Sequence, residues 1–351
     1  MSRADRVEAL LADAELDALL VTNLENVRYL TGYTGTNGVC VIGPDLRAFF
    51  TDFRYVAQAE RQVHGFDRAL GKQDLLGDAA GRLSGRVGIE DYDLSVRRHE
   101  RLRGLVGEGV ELVPAGRCVE RVRAVKEPEE LDRVRAAAAL ADELFRGVVE
   151  RGLIGRSERE IAFELETEMR RRGAAPSFPA IIAGGPNGAL PHAEPGEDPI
   201  ARDTLVVFDW GVELDGYCSD CTRTLATGSI PDDLAEVYEL VRATQVATLD
   251  EVRPGAAGAA VDGFARERIA AGGHGERFGH GLGHGVGIVV HEGPTLSKAS
   301  EDTLVAGNVV TVEPGVYVPD AFGVRIEDLV VVADDGPEIL SGFPKGLTEV
   351  G

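Results

Sequence analysis

The sequence predicts a mixed α/β (α+β) protein in two parts: a smaller α/β domain over residues 1–122 and a larger domain over residues 123–351. Three observations carry this. The 351 residues exceed the length at which a single hydrophobic core stops growing. In the first 120 or so residues, amphipathic helical segments alternate with short apolar strand runs. After Pro128, two long helical segments lead into strand pairs that carry isolated acids in apolar surroundings.

The elements follow in order. Residues 1–20 read as an amphipathic helix running into the strand LDALLVT. GVCVIG and RAFFT are strands, RYVAQAERQ a helix, RVGIE a strand and SVRRHERLRGLV a helix. The domain boundary falls near residues 116–128. There Glu-Pro-Glu-Glu-Leu marks a helix start, with Pro128 suited to the first turn. One long helix is predicted over 128–151. A second begins near Ser157, where Ser-Glu-Arg-Glu forms a capping box, and ends by Gly173. A further helix pair covers DDLAEVYELVRATQVATLDEV and AVDGFARERIAA, between the strand-rich segments.

Composition excludes some functions. The formal net charge of -22, from 59 acids against 37 bases, argues against nucleic acid and anionic membrane as partners, since phosphate recognition needs basic patches. No run reaches the ~18 apolar residues of a membrane helix. The start of the chain lacks the charged-then-apolar plan of a signal peptide, so a cytoplasmic protein is expected. Lysine is scarce, with only Lys72, Lys126, Lys298 and Lys345, and this acid-rich, lysine-poor balance resembles proteins of salt-loving organisms. Cys218 and Cys221 have C-x-x-C spacing, but on a strand they point to opposite faces, and no second Cys pair completes a zinc site. They are expected to be buried thiols, as are Cys40 and Cys118. His64 and His99 are expected at the surface.

The chemistry lies in the second half. TLVVFDWGVELDGYCSDCTRT reads as two strands around a Leu-Asp-Gly turn. A turn centred on Leu214 and Asp215 sets Asp209 directly opposite Asp220. NVVTVEPGVYVPDAFGVRIEDLVVV reads as a second hairpin, in which Glu313 faces Glu327. Directly opposed residues on one face have Cβ atoms roughly 4.5–5.5 Å apart. Carboxylates held that close in an apolar strand pair repel, so either a proton or a cation must sit between them. Four carboxylates with one imidazole, His284 of the Gly-rich stretch GHGLGHGVG, suit hard or borderline divalent cations such as Mn, Co, Fe or Zn. That stretch matches neither G-x-G-x-x-G nor a Walker loop.

The segments SFPAIIAGGPNGALPHAEP, VVFDWGVELDGYCSDCTRT, GHGLGHGVGIVVHEGP, VEPGVY and GVRIED resemble, in order, the motifs of the pita-bread metallopeptidases. NVRYLTGYTGTNGVCVI and TDFRY resemble the front of the Xaa-Pro branch, so the likeness spans nearly the whole chain. It implies a pita-bread catalytic domain preceded by a creatinase-type α/β domain. It also implies two divalent metals, Mn favoured, and short proline-containing peptides as substrates of a homodimer. By the same likeness Asp209 is a terminal ligand of one metal, His284 and Glu313 hold the other, and Asp220 and Glu327 bridge them. A shared water, deprotonated between the cations, becomes the nucleophile. Glu313 is implied as proton acceptor, His192 and His291 as donors to the developing oxyanion, and His280 as a residue near the proline end of the substrate. Arg325, two residues before Glu327 on the same strand face, either steadies the acids or contacts substrate.

The likeness implies a metallopeptidase that cuts the Xaa-Pro bond, as dipeptidase (prolidase) or aminopeptidase. Two alternatives stand beside it. A methionine aminopeptidase usually lacks the preceding α/β domain. A metal-free creatinase-like or purely binding relative would be expected to lose ligands, and all five are present here.

Overall fold

The computed structural model describes residues 1–72 and 74–351, which form two compact units, Met1–Arg123 and Ala124–Gly351. In the first unit, helix α1 (Arg3–Asp13) starts at a capping box in which the Ser2 hydroxyl accepts from the Asp5 N–H and the Asp5 carboxylate from the Ser2 N–H. Strand β1 (Ala18–Val21) leads to α2 (Leu24–Thr31), then β2 (Gly38–Gly43), β3 (Leu46–Thr51), α3 (Val56–Gln62) and β4 (Asp67–Leu70). Helix α4 (Leu75–Ala80), β5 (Gly85–Ile89), α5 (Val96–Arg103), β6 (Val110–Pro114) and α6 (Cys118–Arg123) follow. The six strands form one mixed sheet in the order β4-β3-β2-β1-β5-β6.

The sequence reading of this unit missed helices α2, α4 and α6 and both edge strands. Helix α2 is marked locally by the Asn23 side chain, which caps the Asn26 N–H, and by Gly32 at φ 79°. Strands β4 and β6 contain only partly exposed and exposed residues, as edge strands can, and so lack an apolar signature.

The second unit opens with α7 (Pro128–Arg151) and α8 (Glu158–Arg171), at the positions the caps predicted. Strands β7 (Ala175–Pro176), β8 (Ile181–Gly184), β9 (Leu205–Trp210), β10 (Val212–Leu214), β11 (Tyr217–Cys218) and β12 (Cys221–Ala226) come next. The helix pair α9 (Asp232–Leu249) and α10 (Gly258–Ala271) separates these from β13 (Gly283–Gly285), β14 (Glu292–Leu296), β15 (Val309–Val312), β16 (Gly315–Val318), β17 (Phe322–Arg325), β18 (Asp328–Val331) and β19 (Glu338–Ile339). The strands form antiparallel sheets in the orders β12-β9-β8, β11-β10-β7, β14-β13-β15-β18-β19 and β16-β17.

Two apolar cores hold these sheets between the helix pairs. On one side Val310, Val312, Val324, Ile326 and Val330 pack with Val241, Val261, Ala265 and Ile269 of α9 and α10. On the other, Phe208 and Trp210 of β9 pack with Phe145 of α7 and Phe343 near the C-terminus. The Phe145 and Trp210 rings stack with centroids 3.8 Å apart, and the Trp210 indole N–H donates to the Ala141 carbonyl at 3.0 Å. Because side chains alternate along a strand, burying Phe208 and Trp210 turns Asp209 to the opposite face.

Candidate metal centre

The first hairpin differs from its predicted register. Its turn is Asp215–Gly216, both at positive φ (49° and 80°), not Leu214–Asp215, so Leu214 pairs with Tyr217. Asp209 therefore lies opposite Thr222, and Asp220 is its diagonal neighbour. A two-residue turn with both residues left-handed matches the natural twist of a hairpin, and Asp-Gly tolerates it best. The shift moves the partner by two positions, which preserves the face, so Asp209 and Asp220 still converge. The second hairpin keeps its predicted register: Val312 pairs with Asp328 on one side of the acids and Gly315 with Arg325 on the other. At Glu313 and Glu327 themselves the strands part. The Glu313 N–H donates to the Leu282 carbonyl and the Glu327 N–H to that of Thr222.

This parting joins the two hairpins with β13. Carboxylate oxygens of Asp209, Asp220 and Glu327 all lie within 4.8 Å of one another. His284 Nδ1 is 3.1 Å from the Gly285 carbonyl, which can only accept, so the proton sits on Nδ1. The Nε2 lone pair then faces Glu313 Oε1 at 3.4 Å and Asp220 Oδ2 at 3.6 Å. The Thr311 hydroxyl accepts from the His284 N–H and donates to Glu313 Oε1, and the Thr222 hydroxyl donates to Glu327 Oε2 at 2.7 Å. Both threonines went unnoticed in the sequence. Their signal is spacing, since each lies two residues from a ligand and shares its strand face.

Electrostatics in the cluster are strongly unfavourable without a cation. Burial, and then the Glu327 carboxylate, pushes Asp220 well above the usual carboxyl range. Burial, and then Glu313, does the same to Glu327. Burial also raises Glu313 and holds His284 in its neutral form. Asp209 Oδ1 and Glu327 Oε1 are buried with no hydrogen-bond partner among the described residues. Orphaned anionic oxygens, crowded carboxylates and a neutral imidazole with its lone pair turned inward form a donor set that fits divalent metal.

Arg325 is buried and committed to the protein. Its Nη2 donates to Asp209 Oδ2 at 2.6 Å, Nε to Thr222 Oγ1 at 3.0 Å, and Nη1 to the Pro191 carbonyl and the Tyr317 hydroxyl. Of its two expected roles, these four contacts serve the steadying of the acids, and Arg325 also lines the cavity, where the other role, contact with substrate, would be played. His280 is likewise engaged. Its Nδ1–H meets the Gly281 carbonyl at 2.8 Å, so its Nε2 accepts from the Tyr317 hydroxyl at 2.9 Å. Burial, and then Arg325, lowers the His280 imidazole to about 4. Tyr317, absent from the sequence reading, links the two. It stands opposite Gly323 in the ladder, diagonal to Arg325 on the same face.

A cavity of about 540 Å³ opens over these groups. Its polar lining includes all five candidate ligands with His192, His280, His291 and Arg325. Its apolar wall is Phe178, Pro179, Ile181, Pro191, Ala193 and Pro195, of which only the surrounding motif was legible in the sequence. His291 is exposed, its ring centroid 4.2 Å from that of His284, and His192 is exposed at the rim. Cys218 and Cys221 are buried free thiols whose sulfurs contact the Ile288 and Glu327 carbonyls separately.

Residues 132–334 match the model of metallopeptidase family M24, and residues 3–125 that of the Creatinase/Prolidase N-terminal domain. The chain is 39% identical to the uncharacterized peptidase YqhT of Bacillus subtilis, over 98% of this chain and 99% of that protein. It superposes on an Xaa-Pro dipeptidase from Bacillus anthracis with a TM-score of 0.95 at 35% identity, covering 99% of each chain. An X-Pro aminopeptidase from Thermotoga maritima gives a TM-score of 0.89 at 32% identity, covering 99% of this chain and 100% of that one. The paired hairpins, the creatinase-type first unit and these matches agree: the chain belongs to metallopeptidase family M24.

Proposed function

We propose that this protein hydrolyses the bond between an amino-terminal residue and proline in dipeptides or short peptides, using two divalent cations, Mn favoured. The observation that carries this reading is the cluster of Asp209, Asp220, Glu313 and Glu327 around the inward lone pair of His284, in which Asp209 Oδ1 and Glu327 Oε1 have no partner among the described residues. Asp209, Asp220, His284, Glu313 and Glu327 are the residues that would hold the two cations. Two such cations supply Lewis-acid activation of water and of the scissile carbonyl.

The chain's own groups do the rest. Glu313, whose Oε1 is oriented by the Thr311 hydroxyl, accepts the proton removed from the attacking water and returns it to the leaving imino nitrogen. His192 and His291 donate hydrogen bonds to the carbonyl oxygen as charge develops on it. The apolar wall of Phe178, Pro179, Ile181 and Pro191 accepts the proline ring, with His280 nearby as a neutral, oriented face. The four buried free cysteines suit a reducing, cytoplasmic setting. A homodimer completes the reading, and analytical ultracentrifugation tests it.

The deciding experiment is hydrolysis by the metal-reconstituted protein, followed by mass spectrometry. The substrates are a matched Xaa-Pro dipeptide, a longer peptide beginning Xaa-Pro, and the same dipeptide with alanine replacing proline. Cleavage of either proline substrate with sparing of the alanine control is expected, and the ratio of the two distinguishes dipeptidase from aminopeptidase. Turnover that survives complete metal removal would sink the reading.

A further inference from the structure

We infer that Glu158 is a positioning residue for the substrate side of the cavity, acting through His192. Glu158 is the first residue of α8, far from the metal ligands in sequence, and is 7% exposed. Its Oε1 accepts the Gly184 N–H at 2.6 Å. Its Oε2 accepts the Gly196 N–H and the Asn187 side-chain N–H, each at 2.7 Å. Gly184 and Gly196 are the two ends of one irregular segment. Between them lie Pro191, His192, Ala193, Glu194 and Pro195, all on the cavity wall. A single buried carboxylate therefore clasps both ends of the loop that carries His192.

The clasp has no substitute among the loop's own bonds. Inside the segment the backbone bonds are short-range, from Leu190 to Asn187 and from Ala193 to Leu190. Asn187 extends the clasp inward, since its amide also donates to the Glu194 carbonyl at 3.2 Å. Helix α8 ties the far end of the segment a second time, where the Arg159 N–H donates to the Gly196 carbonyl at 3.0 Å. On the far side the Arg325 guanidinium reaches the Pro191 carbonyl, and Gly188 presses on Gly323 so closely that a Cβ there would lie 1.9 Å from the Gly188 oxygen. The loop is thus held between α8 and β17. Three N–H donors and the N-terminal end of α8 offset the Glu158 charge, which an amide in its place could not reproduce with one acceptor oxygen.

This inference rests on the reading of His192 as a substrate-side donor, and a double-mutant cycle separates the two. Glu158→Gln in the wild-type background is expected to lower kcat/KM by about tenfold or more, the order associated with losing a hydrogen bond to a charged group, at unchanged metal content. In a His192→Ala background the same substitution is expected to change kcat/KM by less than about twofold, because groups acting through one another are not additive. Asn187→Ala, which removes one strand of the clasp, runs through the same cycle and covers the case in which Glu158→Gln does not fold. Equal losses in both backgrounds would overturn the positioning role while leaving His192 intact. An unaltered wild-type rate on both clasp substitutions would overturn it as well. If His192→Ala is itself silent, the reading of His192 falls and the inference with it.

Discussion

Asp209 illustrates how one residue is placed. Alternation along β9 turns it away from Phe208 and Trp210, Arg325 holds one of its oxygens, and the other has no partner among the described residues. Replacing it by asparagine removes an anion that the cluster needs when metal is bound but leaves the ladder intact. Asp209→Asn and Glu313→Gln are therefore expected to reduce hydrolysis to below about 1%, a loss of the size seen when a charge-stabilising group is removed. Circular dichroism should be unchanged, and near-wild-type turnover by either variant would refute the ligand assignment. His280 carries a pH signature. Its folded form is lowered to about 4 by burial, so between the ordinary histidine value and pH 4 the unfolded chain binds more protons. Stability from this group is complete above the unfolded value and is lost as pH falls through that window. The melting temperature of the wild type should drop more steeply between pH 6.5 and 4 than that of His280→Phe; equal slopes would show that His280 is not held neutral.

At the scale of elements, the site is made by strands whose faces are chosen by packing. Phe145 of α7 lies against Phe208, Trp210 and Phe343 at 4.8, 3.8 and 4.6 Å between centroids, so it fixes the back of β9. Phe145→Ala is expected to destabilise the protein by about 3–5 kcal/mol through lost contacts and a cavity, read as a lower denaturation midpoint. A smaller change would mean that the aromatic cluster collapses around the gap. The loops contribute differently. His192 and His291 stand at the rim, outside the hydrogen bonds of the carboxylate cluster. His192→Ala and His291→Ala should each cost about 10²–10³ in kcat. Metal content by atomic absorption should stay at the wild-type level, and a fall in parallel with activity would make these histidines ligands.

For the molecule as a whole, charge is the dominant feature. At -22 the folded chain repels itself, and salt shortens the Debye length from about 10 Å at 0.1 M to 3 Å at 1 M. Melting temperature and activity are expected to rise together from 0.1 M into the molar range of NaCl or KCl at saturating metal. A flat or falling melting temperature would exclude salt adaptation. Two lysines serve local structure: buried Lys126 pairs with Glu292, and partly exposed Lys345 with Asp328 behind Glu327.

Some of this architecture is written in short-range pattern. Helices α7 and α8 were legible because Pro128 and the Ser157 capping box are local signals, and the facing carboxylates because a shift of partner by two positions keeps Asp209 and Asp220 on one face. The turn lies one residue beyond the expected Leu214–Asp215, because Asp215 and Gly216 accept left-handed backbone at both central positions and Leu214 does not. The edge strands β4 and β6 were invisible because partial exposure leaves no apolar run. What only the tertiary structure decided is which polar atoms meet. Arg325 and Asp209 stand 116 residues apart, and Glu158 reaches a loop 26 to 38 residues further on. Buried polar groups must find partners, but which partners they find depends on how the elements pack around them, and no local periodicity encodes that choice.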